Sequence, residues 1–237
     1  MEYLIKLKEA VLDIIFPPVC LYCSANLIAK EKEMGFCDNC LSKIVIHTAL
    51  FCPVCKARVP ETKKICHKDS PFLLGAATEY NGLTKAIIHQ FKYKKWTKIS
   101  SLAGRFLIHY FNRLGPLNFQ NFSFAPIPLH PKKKKERGFN QSELLGKILA
   151  EKYNLPLLTG VLSRDKETKP QAGLKDWQVR RQNLQNAFSV ALPDQIKNKN
   201  IILIDDIYTS GATAQDAARA LRQAGAKKII VLVFAKA

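Results

Sequence analysis

The clearest structural signal in the sequence is Ile201-Ile202-Leu203-Ile204-Asp205-Asp206-Ile207-Tyr208-Thr209-Ser210-Gly211-Ala212-Thr213. Its four consecutive aliphatic residues predict a strand that is buried on both faces, as the central strands of parallel sheets are. Two acids, Asp205 and Asp206, follow at the carboxyl end of this strand, where open α/β sheets place their ligand sites. The stretch therefore predicts both the kind of sheet and the edge of it that carries a site.

A polar turn with one glycine, Thr209 to Thr213, follows the acids and leads into an alanine-rich run that ends at Ala224. Gly225 is a typical stop signal for the helix that this run predicts. The turn directs backbone N–H groups and hydroxyl groups toward the start of that helix. Such a turn binds a phosphate without any positively charged side chain.

The two acids suit a different part of a ligand. A carboxylate pair beside a phosphate site can hold the hydroxyls of a ribose or the Mg²⁺ carried by a polyphosphate. The alternative is structural: Asp205 and Asp206 cap the strand, while Thr and Ser are ordinary N-cap residues of the helix. Neither G-x-x-x-x-G-K-[ST] nor G-x-G-x-x-G occurs in the chain, which excludes two common nucleotide-binding loops.

The charge distribution predicts a polyanionic partner. The 237 residues carry a formal charge of +18, and the excess lies in residues 76–237, which hold 27 basic and 11 acidic side chains against 10 and 8 in residues 1–75. Residues 85–147 alone carry 13 basic and 2 acidic side chains. This pattern favours nucleic acid over a membrane surface. The alternative is that the charge serves solubility alone.

All seven cysteines lie between Cys20 and Cys66. We find no signal peptide and no apolar stretch long enough to span a membrane, so we expect a cytoplasmic protein, with attachment to the inner face of the membrane as an alternative. In that reducing compartment, paired cysteines indicate a metal site more often than a disulfide.

The cysteine pairs predict zinc. Cys20-x-x-Cys23 and Cys37-x-x-Cys40 have the spacing of a tetrahedral site made of four thiolates. Cys52-x-x-Cys55 and Cys66 begin a second site, in which Asp69 stands where a fourth cysteine is expected; His67 is the alternative ligand, and loss of this metal is the other alternative. Four protein ligands leave no position open for a substrate, so we expect structural zinc, on which so short a segment depends for folding.

The chain divides into a small domain, residues 1–75, and a larger domain, residues 76–237. The small domain begins with an amphipathic helix predicted at residues 3–16 and contains the zinc ribbon. Residues 71–80 are expected to link the two domains. Residues 83–114 show a helical pattern that is interrupted near Lys94-Lys95-Trp96.

Aromatic and basic side chains are mixed in this helical region. Three lysines alternate with Phe91, Tyr93 and Trp96: Lys92, Lys94 and Lys95. The mixture suits single-stranded nucleic acid, because bases stack on aromatic rings and phosphates bind lysine. The alternative is that the aromatic residues face the core.

A second basic segment follows a strand predicted at residues 122–129. It contains Lys132-Lys133-Lys134-Lys135-Glu136-Arg137-Gly138-Phe139-Asn140-Gln141. Four adjacent lysines cannot pack in a core, so the segment predicts a mobile loop at the carboxyl end of the strand. It would then lie at the same sheet edge as Asp205. A helix that extends through Lys152 is expected after it.

The strand, acid pair and turn resemble the 5-phosphoribosyl-1-pyrophosphate (PRPP) motif of type I phosphoribosyltransferases. The chain as a whole combines a cysteine-rich start with a series of motifs, which are P-x-P-L-H-P, the basic run, E-R-G-F-N-Q-S-E-L-L, T-K-P-Q-x-G-L and L-I-D-D-I-Y-T-S-G-A-T. Together these motifs resemble the ComF family over nearly the whole chain. The resemblance implies an α/β fold with a doubly wound parallel sheet and an N-terminal zinc ribbon, and a role in DNA uptake during natural transformation. Asp69 departs from the family pattern.

The resemblance also implies roles for individual residues. Asp205 and Asp206 would bind the ribose and Mg²⁺, and with Arg137 they would form the catalytic group. The remaining PRPP contacts would be Tyr208, Thr209, Ser210, Gly211, Ala212 and Thr213. The pyrophosphate or substrate loop would comprise His130, Lys132, Arg137, Gly138, Asn140 and Gln141. The expected DNA contacts are Lys92, Lys94, Lys95 and Lys132 to Lys135.

Two functions follow. The first is a protein that handles incoming single-stranded DNA in the cytoplasm, carries a PRPP/Mg²⁺ site, and works with other competence proteins such as a helicase or a recombination mediator. The alternative is a phosphoribosyltransferase that acts on an unknown base or nucleotide acceptor and has incidental affinity for DNA. No residue in the sequence can be named as a general base, and the sequence does not identify the acceptor.

Overall fold

The computed structural model describes residues 13, 15–59, 67, 70–93, 97–114, 119–164 and 187–237, with only the backbone described at residues 92, 93, 97 and 98. Most of the predicted N-terminal helix at residues 3–16 lies outside the described residues. So do Lys94, Lys95 and residues 165–186.

Groups of helices and groups of strands follow one another along the described chain. The strands are β1 (Leu50–Phe51), β2 (Arg58–Val59), β3 (Leu73–Glu79), β4 (Phe122–Pro126), β5 (Leu162–Arg164), β6 (Phe188–Val190), β7 (Asn200–Tyr208) and β8 (Lys228–Lys236). The α-helices are α1 (Ala29–Lys32), α2 (Asp38–Leu41), α3 (Gly82–Tyr93), α4 (Thr97–Asn112), α5 (Pro131–Arg137), α6 (Gln141–Tyr153) and α7 (Ala212–Gln223). The predicted interruption near residues 94–96 lies outside the described residues, between α3, which is described up to Tyr93, and α4, which is described from Thr97.

Six strands form the main sheet in the order β2-β1-β3-β8-β7-β4. The four strands β3, β8, β7 and β4 are parallel, whereas β1 pairs antiparallel with β3 and β2 pairs antiparallel with β1. Strands β5 and β6 form a separate antiparallel pair. The predicted parallel α/β sheet is confirmed, and two short strands from the cysteine-rich region extend it at one side.

The core lies on both faces of this sheet. Along β7, Ile202 and Ile204 belong to one buried cluster, and Ile201 and Leu203 to the other. Helices α3, α4 and α6 contribute to the first cluster and α7 contributes to the second. The four aliphatic residues are fully buried, as expected for a strand that is covered on both sides.

The prediction of a linker at residues 71–80 is wrong, because Leu73–Glu79 forms β3 in the interior of the sheet. This strand is rich in glycine and alanine, which are weak strand formers. Its small residues fit close neighbours: a Cβ on Gly75 would lie 3.2 Å from Leu232 and 3.3 Å from Tyr110. The strand propensity of this sequence is low, so its pairing with β1 and β8 stabilises it as a strand.

The prediction of a mobile loop at the lysine run is also wrong, because Pro131–Arg137 forms α5. Pro131 occupies the first turn, where its missing N–H costs nothing. Gly138 ends the helix in the left-handed conformation at φ 79°. Lysine is a good helix former and needs no packing to be one, so the exposed run is compatible with a helix.

No helix in the described part of the chain combines the length and the apolar character needed to cross a bilayer.

Candidate functional site

The carboxyl end of β7 carries the acid pair and the turn. Asp205 is half-buried and Asp206 is buried. The turn ends at Gly211, which is the N-cap of α7 and has φ 77°, a left-handed conformation that favours glycine. Orphan N–H groups of the first turn of α7 therefore face the same edge as the two carboxylates, which is an arrangement that binds phosphate.

Strand β4 brings the basic segment to this edge. It pairs with β7 up to Ile204, and the N–H of Ile127 donates to the carbonyl of Ile204 at 2.9 Å. The start of α6 then reaches the acids, because the hydroxyl of Ser142 donates to Oδ1 of Asp205 at 3.1 Å. Residues that are more than 60 positions apart in the sequence thus meet at one sheet edge.

These elements enclose one cavity of about 410 Å³, a size within the usual range of ligand sites. Seven residues of its lining belong to the predicted PRPP set, and two belong to the predicted pyrophosphate loop. The first group is Asp205, Asp206, Tyr208, Thr209, Gly211, Ala212 and Thr213. The second is Arg137 and Gln141, and Lys133 of the lysine run joins them.

Gln141 connects the two groups. Its Oε1 accepts a hydrogen bond from Nη1 of Arg137 at 3.3 Å. Its Nε2 is buried and has no hydrogen-bond partner among the described residues. A buried donor without an acceptor is costly, so a ligand oxygen in the cavity would relieve this cost.

Several predicted site residues have local structural roles and are not among the lining residues of the cavity, and their ligand contacts stay predictions. His130 is the N-cap of α5 and Gly138 its C-cap, while Lys132 is an exposed residue of the first turn. Asn140 is the N-cap of α6: its side chain accepts from the N–H of Ser142 at 3.2 Å and donates to the carbonyl of Ile127 at 3.0 Å. Ser210 also lies outside the lining; its hydroxyl accepts from the N–H of Ala212 at 3.4 Å.

Arg164 is a lining residue that sequence reasoning did not assign to the site. Its guanidinium lies over the Phe188 ring, 5.3 Å from the ring centroid. Burial lowers the pKa of Arg164, and the charges of Asp205 and Asp216 act against this effect. Asp216 in turn accepts from the N–H groups of Ala187 and Phe188, at 2.8 and 3.1 Å, which fixes β6 against α7.

The lining also includes Tyr80, Lys85, Ile88 and His89, from the end of β3 and from α3. No motif marks these residues. They lie more than 110 positions before the acid pair in the sequence, and only the pairing of β3 with β8 and of β8 with β7 brings them to the same edge.

The first cysteine cluster has the geometry of a zinc site. The sulfurs of Cys20, Cys23, Cys37 and Cys40 all lie within 4.8 Å of one another. Two of the distances are 3.9 Å (Cys20 to Cys40) and 3.7 Å (Cys23 to Cys37). A tetrahedron with Zn–S bonds of 2.3 Å requires about 3.8 Å, so the four residues fit zinc.

The second cluster contains Cys52, Cys55 and His67, whose ligand atoms also lie within 4.8 Å of one another. The distance from Sγ of Cys52 to Nδ1 of His67 is 3.4 Å, close to the roughly 3.6 Å that tetrahedral zinc requires for one S and one N ligand. Cys66 and Asp69 lie outside the described residues. The structure thus places His67, one of the two alternative ligands, beside the two described cysteines of this site.

The two clusters share one local fold. In the first, the N–H of Cys20 donates to the carbonyl of Ala25 at 2.8 Å, and the N–H of Ser24 donates to the carbonyl of Cys20 at 2.9 Å. In the second, Cys52, Ala57 and Lys56 repeat both bonds, each at 2.9 Å. Ser24 and Lys56 have nearly the same positive φ, 61° and 58°. The repeated turn indicates two copies of one metal-binding unit.

Backbone donors stabilise the thiolate of one cysteine in the first cluster. Burial acts to raise the pKa of Cys20, but hydrogen bonds from the backbone of Cys23, Cys37 and Tyr22 outweigh it and lower the pKa to about 6. A thiolate stabilised in this way is ready to bind a cation.

The described DNA candidates lie on α5. Lys132, Lys134 and Lys135 are exposed, and Lys134 lies 3.9 Å from a carboxylate oxygen of Glu143. Lys133 faces the cavity. The side chain of Lys92, like Lys94 and Lys95, lies outside the described residues, so only the second of the two predicted basic segments can be located.

Two family models match the chain. A double zinc ribbon domain matches residues 11–68, and a phosphoribosyl transferase domain matches residues 141–237. Both agree with the geometry: the first range contains the two cysteine clusters, and the second contains the acid pair and the turn. The fold and the site thus define a phosphoribosyltransferase-like protein with an N-terminal double zinc ribbon, and the prediction of structural zinc is supported.

The chain is similar to three kinds of curated protein along nearly its whole length. "Competence protein F" of Haemophilus influenzae is 29% identical over 235 residues, which cover 92% of this chain and 96% of the relative. "Competence protein ComFC" of Bacillus subtilis is 28% identical, covering 87% and 90%. "DNA utilization protein YhgH" of Escherichia coli O157:H7 is 27% identical, covering 91% and 95%. The predicted resemblance to the ComF family is confirmed by these relatives.

Solved structures give a weaker likeness. The glutamine PRPP amidotransferase of B. subtilis, complexed with ADP and GMP, aligns with a TM-score of 0.39 and 16% identity, covering 61% of this chain and 30% of that one. A similarity this low adds nothing to the assignment.

Proposed function

We propose that this chain acts in natural transformation, where it handles incoming single-stranded DNA in the cytoplasm, and that it binds PRPP with Mg²⁺ in the cavity at the carboxyl edge of the sheet. One observation carries the proposal: a single cavity gathers the carboxylates of Asp205 and Asp206, the turn before α7, and the polar groups of Arg137 and Gln141.

Each part of PRPP has a chemically suitable partner in this cavity. The 5′-phosphate binds the N–H groups at the start of α7 and the hydroxyls of the turn. The ribose hydroxyls and Mg²⁺ bind Asp205 and Asp206. The pyrophosphate binds Arg137 and Lys133, since guanidinium and ammonium groups are strong phosphate donors, and Gln141 Nε2 donates to a ligand oxygen.

The DNA part of the proposal is supported by the relatives and by the charge. Two of the relatives are named as competence proteins and one as a DNA utilization protein. The chain carries a net charge of +18, and α5, whose Lys133 lines the cavity, presents three exposed lysines, Lys132, Lys134 and Lys135. Such a surface binds the backbone of a single strand without reading its sequence.

Titration calorimetry with PRPP, in the presence and absence of Mg²⁺, tests the site. We expect Mg²⁺-dependent binding that the double variant Asp205→Asn, Asp206→Asn weakens at least tenfold, because it removes both anionic ligands while keeping their size. The control is Asp194→Asn, an exposed acid remote from the lining. Equal PRPP affinity in the wild type and the double variant would remove the site from consideration.

The second candidate function is phosphoribosyl transfer to an acceptor. In that reaction the C1–oxygen bond to pyrophosphate breaks, the acceptor forms the new bond at C1, and the acceptor's proton leaves with solvent or product. The lining supports phosphoribosyl transfer because two of its cationic residues, Arg137 and Lys133, can stabilise the departing pyrophosphate. Release of pyrophosphate on mixing PRPP with candidate acceptors is the deciding assay.

A further inference from the structure

The cavity has a wall that the proposed PRPP contacts do not use. Four of its lining residues come from the end of β3 and from α3: Tyr80, Lys85, Ile88 and His89. PRPP as proposed above is held from β7, α5, α6 and the start of α7. The β3–α3 wall (Tyr80, Lys85, Ile88 and His89) is therefore available to a second ligand in the same cavity.

The orientation of α3 follows from its buried side. Lys85, Ile88 and His89 have the i, i+3, i+4 spacing of residues on one helix face. Ile88 is only 3% exposed and packs in the core, whereas Lys85 and His89 are exposed. The buried isoleucine thus sets the rotation of the helix, and the two basic groups, one turn apart, border the cavity.

The wall is fixed in place at its start. The N–H of Asn81 donates to the hydroxyl of Thr84 at 2.8 Å, and the N–H of Thr84 donates to the side-chain oxygen of Asn81 at 3.1 Å. The Thr84 hydroxyl also donates to the carbonyl of Glu79 at 2.7 Å. Tyr80 is tied to β8, because its N–H donates to the carbonyl of Lys236 at 2.7 Å. A preorganised wall loses little entropy when a ligand binds.

The acids near this wall are already engaged. Among the described lining residues, only Asp205 and Asp206 are acidic, and the proposed function assigns them to ribose and Mg²⁺. Glu79, which precedes Tyr80, pairs with Lys236 and lies 3.1 Å from Nε2 of His47. The β3–α3 wall therefore adds one cationic side chain, that of Lys85, and no acidic side chain to the described lining of the cavity.

We propose that the β3–α3 wall binds a nucleoside 5′-phosphate as the second ligand of the cavity. Lys85 and His89 bind its phosphate, since an ammonium and an imidazole one helical turn apart both donate to phosphate oxygens. Tyr80, which is half-buried, offers aromatic surface to the base. The ligand is either a free nucleotide or the 5′-phosphorylated end of a DNA strand, which share this chemistry. The proposal rests on the proposed PRPP site and names the class of its acceptor.

Calorimetric titration of AMP into protein saturated with PRPP and Mg²⁺ tests the proposal. We expect AMP to bind and adenosine to bind at least tenfold more weakly, because the phosphate contacts are lost. The double variant Lys85→Gln, His89→Gln should bind AMP at least tenfold more weakly and keep its PRPP affinity within about twofold. The matched control, Lys199→Gln with Lys227→Gln, removes two exposed lysines at the amino edge of the sheet and should leave both affinities unchanged.

A pair of oligothymidines that differ only in a 5′-phosphate distinguishes the two sources. Preference for the phosphorylated strand over both AMP and the 5′-hydroxyl strand identifies a DNA end, and preference for AMP identifies a free nucleotide. Failure of both AMP and the phosphorylated strand to bind overturns the proposal. The proposal is also overturned if the Lys85/His89 double variant loses PRPP affinity, because the wall would then belong to the PRPP site. It is overturned as well if this variant keeps its AMP affinity.

The proposed PRPP site can fail its own test independently of the β3–α3 wall, and the two failures can be distinguished. If the wild type does not bind PRPP, the same AMP titrations are repeated without it. Loss of AMP binding in the Lys85/His89 variant then supports the wall on its own, and unchanged binding overturns it.

Discussion

At the scale of single residues, the conformation of the turn before α7 depends on the close approach of Gly211 and Tyr208. A Cβ at Gly211 would lie 2.3 Å from the hydroxyl oxygen of Tyr208, closer than any real contact. Tyr208 is itself 5% exposed, and burial, with a smaller effect of charge at Cys52, raises its pKa to about 12. The phenol of Tyr208 therefore stays neutral at physiological pH, and its buried ring packs against the turn at Gly211.

Gly211→Ala should weaken both the fold and the site. A non-glycine residue in the left-handed region costs about 1 kcal/mol, and the overlap with Tyr208 should add roughly 1–3 kcal/mol by forcing the ring to move. Denaturant unfolding measures the stability, and calorimetry measures the PRPP affinity, which we expect to fall at least tenfold because the turn shifts.

Gly160→Ala is the matched control for this prediction. Gly160 has nearly the same φ, 76°, but no atom lies within 4 Å of the Cβ position. It should show the backbone cost alone and no change in PRPP affinity. Equal effects of the two substitutions would mean that the Tyr208 contact is unimportant.

The sequence predicts the residues of the turn, but it does not show which of the surrounding residues line the cavity and which cap the helices. Histidine, glycine and asparagine serve equally well as helix caps and as ligand contacts, so His130, Gly138 and Asn140 cannot be distinguished from Arg137 and Gln141 by type or position. Only the structure shows that the first three hold the ends of α5 and α6. The predictions of their ligand contacts stay untested.

At the scale of secondary structure elements, α5 determines how the chain presents its lysines. As a helix, it spreads them around its axis, so that Lys133 borders the cavity while Lys132, Lys134 and Lys135 face solvent. A flexible loop would have mixed these positions. The two proposed roles, pyrophosphate and DNA binding, therefore belong to different lysines of one element.

Replacing Lys132 to Lys135 with Glu should reduce affinity for single-stranded DNA and flatten its salt dependence. For single strands the slope of log K against log salt is roughly −0.7 per phosphate contacted, so each lost contact reduces the magnitude of the negative slope by about 0.7. Fluorescence anisotropy with a labelled oligothymidine at several salt concentrations measures both quantities.

The control for the lysine variant changes the same charge at another place. Lys197, Lys199, Lys227 and Lys228 are all exposed, and they lie beside the amino ends of β7 and β8. If net charge alone matters, replacing these four with Glu will lower DNA affinity as much as the α5 variant does. A smaller effect is expected, because the proposed DNA surface lies at the opposite edge.

Two strands show which secondary structure elements can be predicted from the sequence pattern and which cannot. The strand at Ile201–Ile204 is predictable because it is buried on both faces and uniformly aliphatic. Strand β3 is not, because its Leu-Leu-Gly-Ala-Ala-Thr-Glu sequence becomes a strand through its neighbours. The β3–α3 wall was missed for the same reason, since its place in the site depends on β3 lying beside β8.

At the scale of the whole molecule, the first zinc cluster joins the small domain to the large one. Cys20, Cys37 and Cys40 are buried in the same cluster as Leu83 and Ile87 of α3. Tyr22, between the first two cysteines, contacts the start of α3, where its hydroxyl oxygen lies 2.9 Å from the Cβ position of Gly82. The predicted boundary between residues 75 and 76 stays untested, and β3 runs across it.

Purified protein should contain two equivalents of zinc per chain, as measured by elemental analysis. Cys20→Ser should misfold or aggregate, because the binding energy of structural zinc is folding energy. His67→Ala should lower the content toward one equivalent if His67 is a ligand of the second site. His109→Ala, at a helical position away from both clusters, is the control; less than half an equivalent in the wild type would contradict the assignment of both sites.

The pairing of β1 with β3 has a consequence for what happens when metal is lost. Leu50 and Phe51 pair with Gly75 and Leu74, and the N–H of His47 donates to the carbonyl of Ala77 at 2.9 Å. Cys52, a ligand of the second cluster, is the residue directly after this short strand. Chelation would therefore loosen the segment that covers β3 and leave a row of backbone groups open to pairing with other chains. We expect metal-depleted protein to self-associate through this edge before the parallel sheet itself unfolds, so that storage with a strong chelator produces aggregates that still have native-like α/β content.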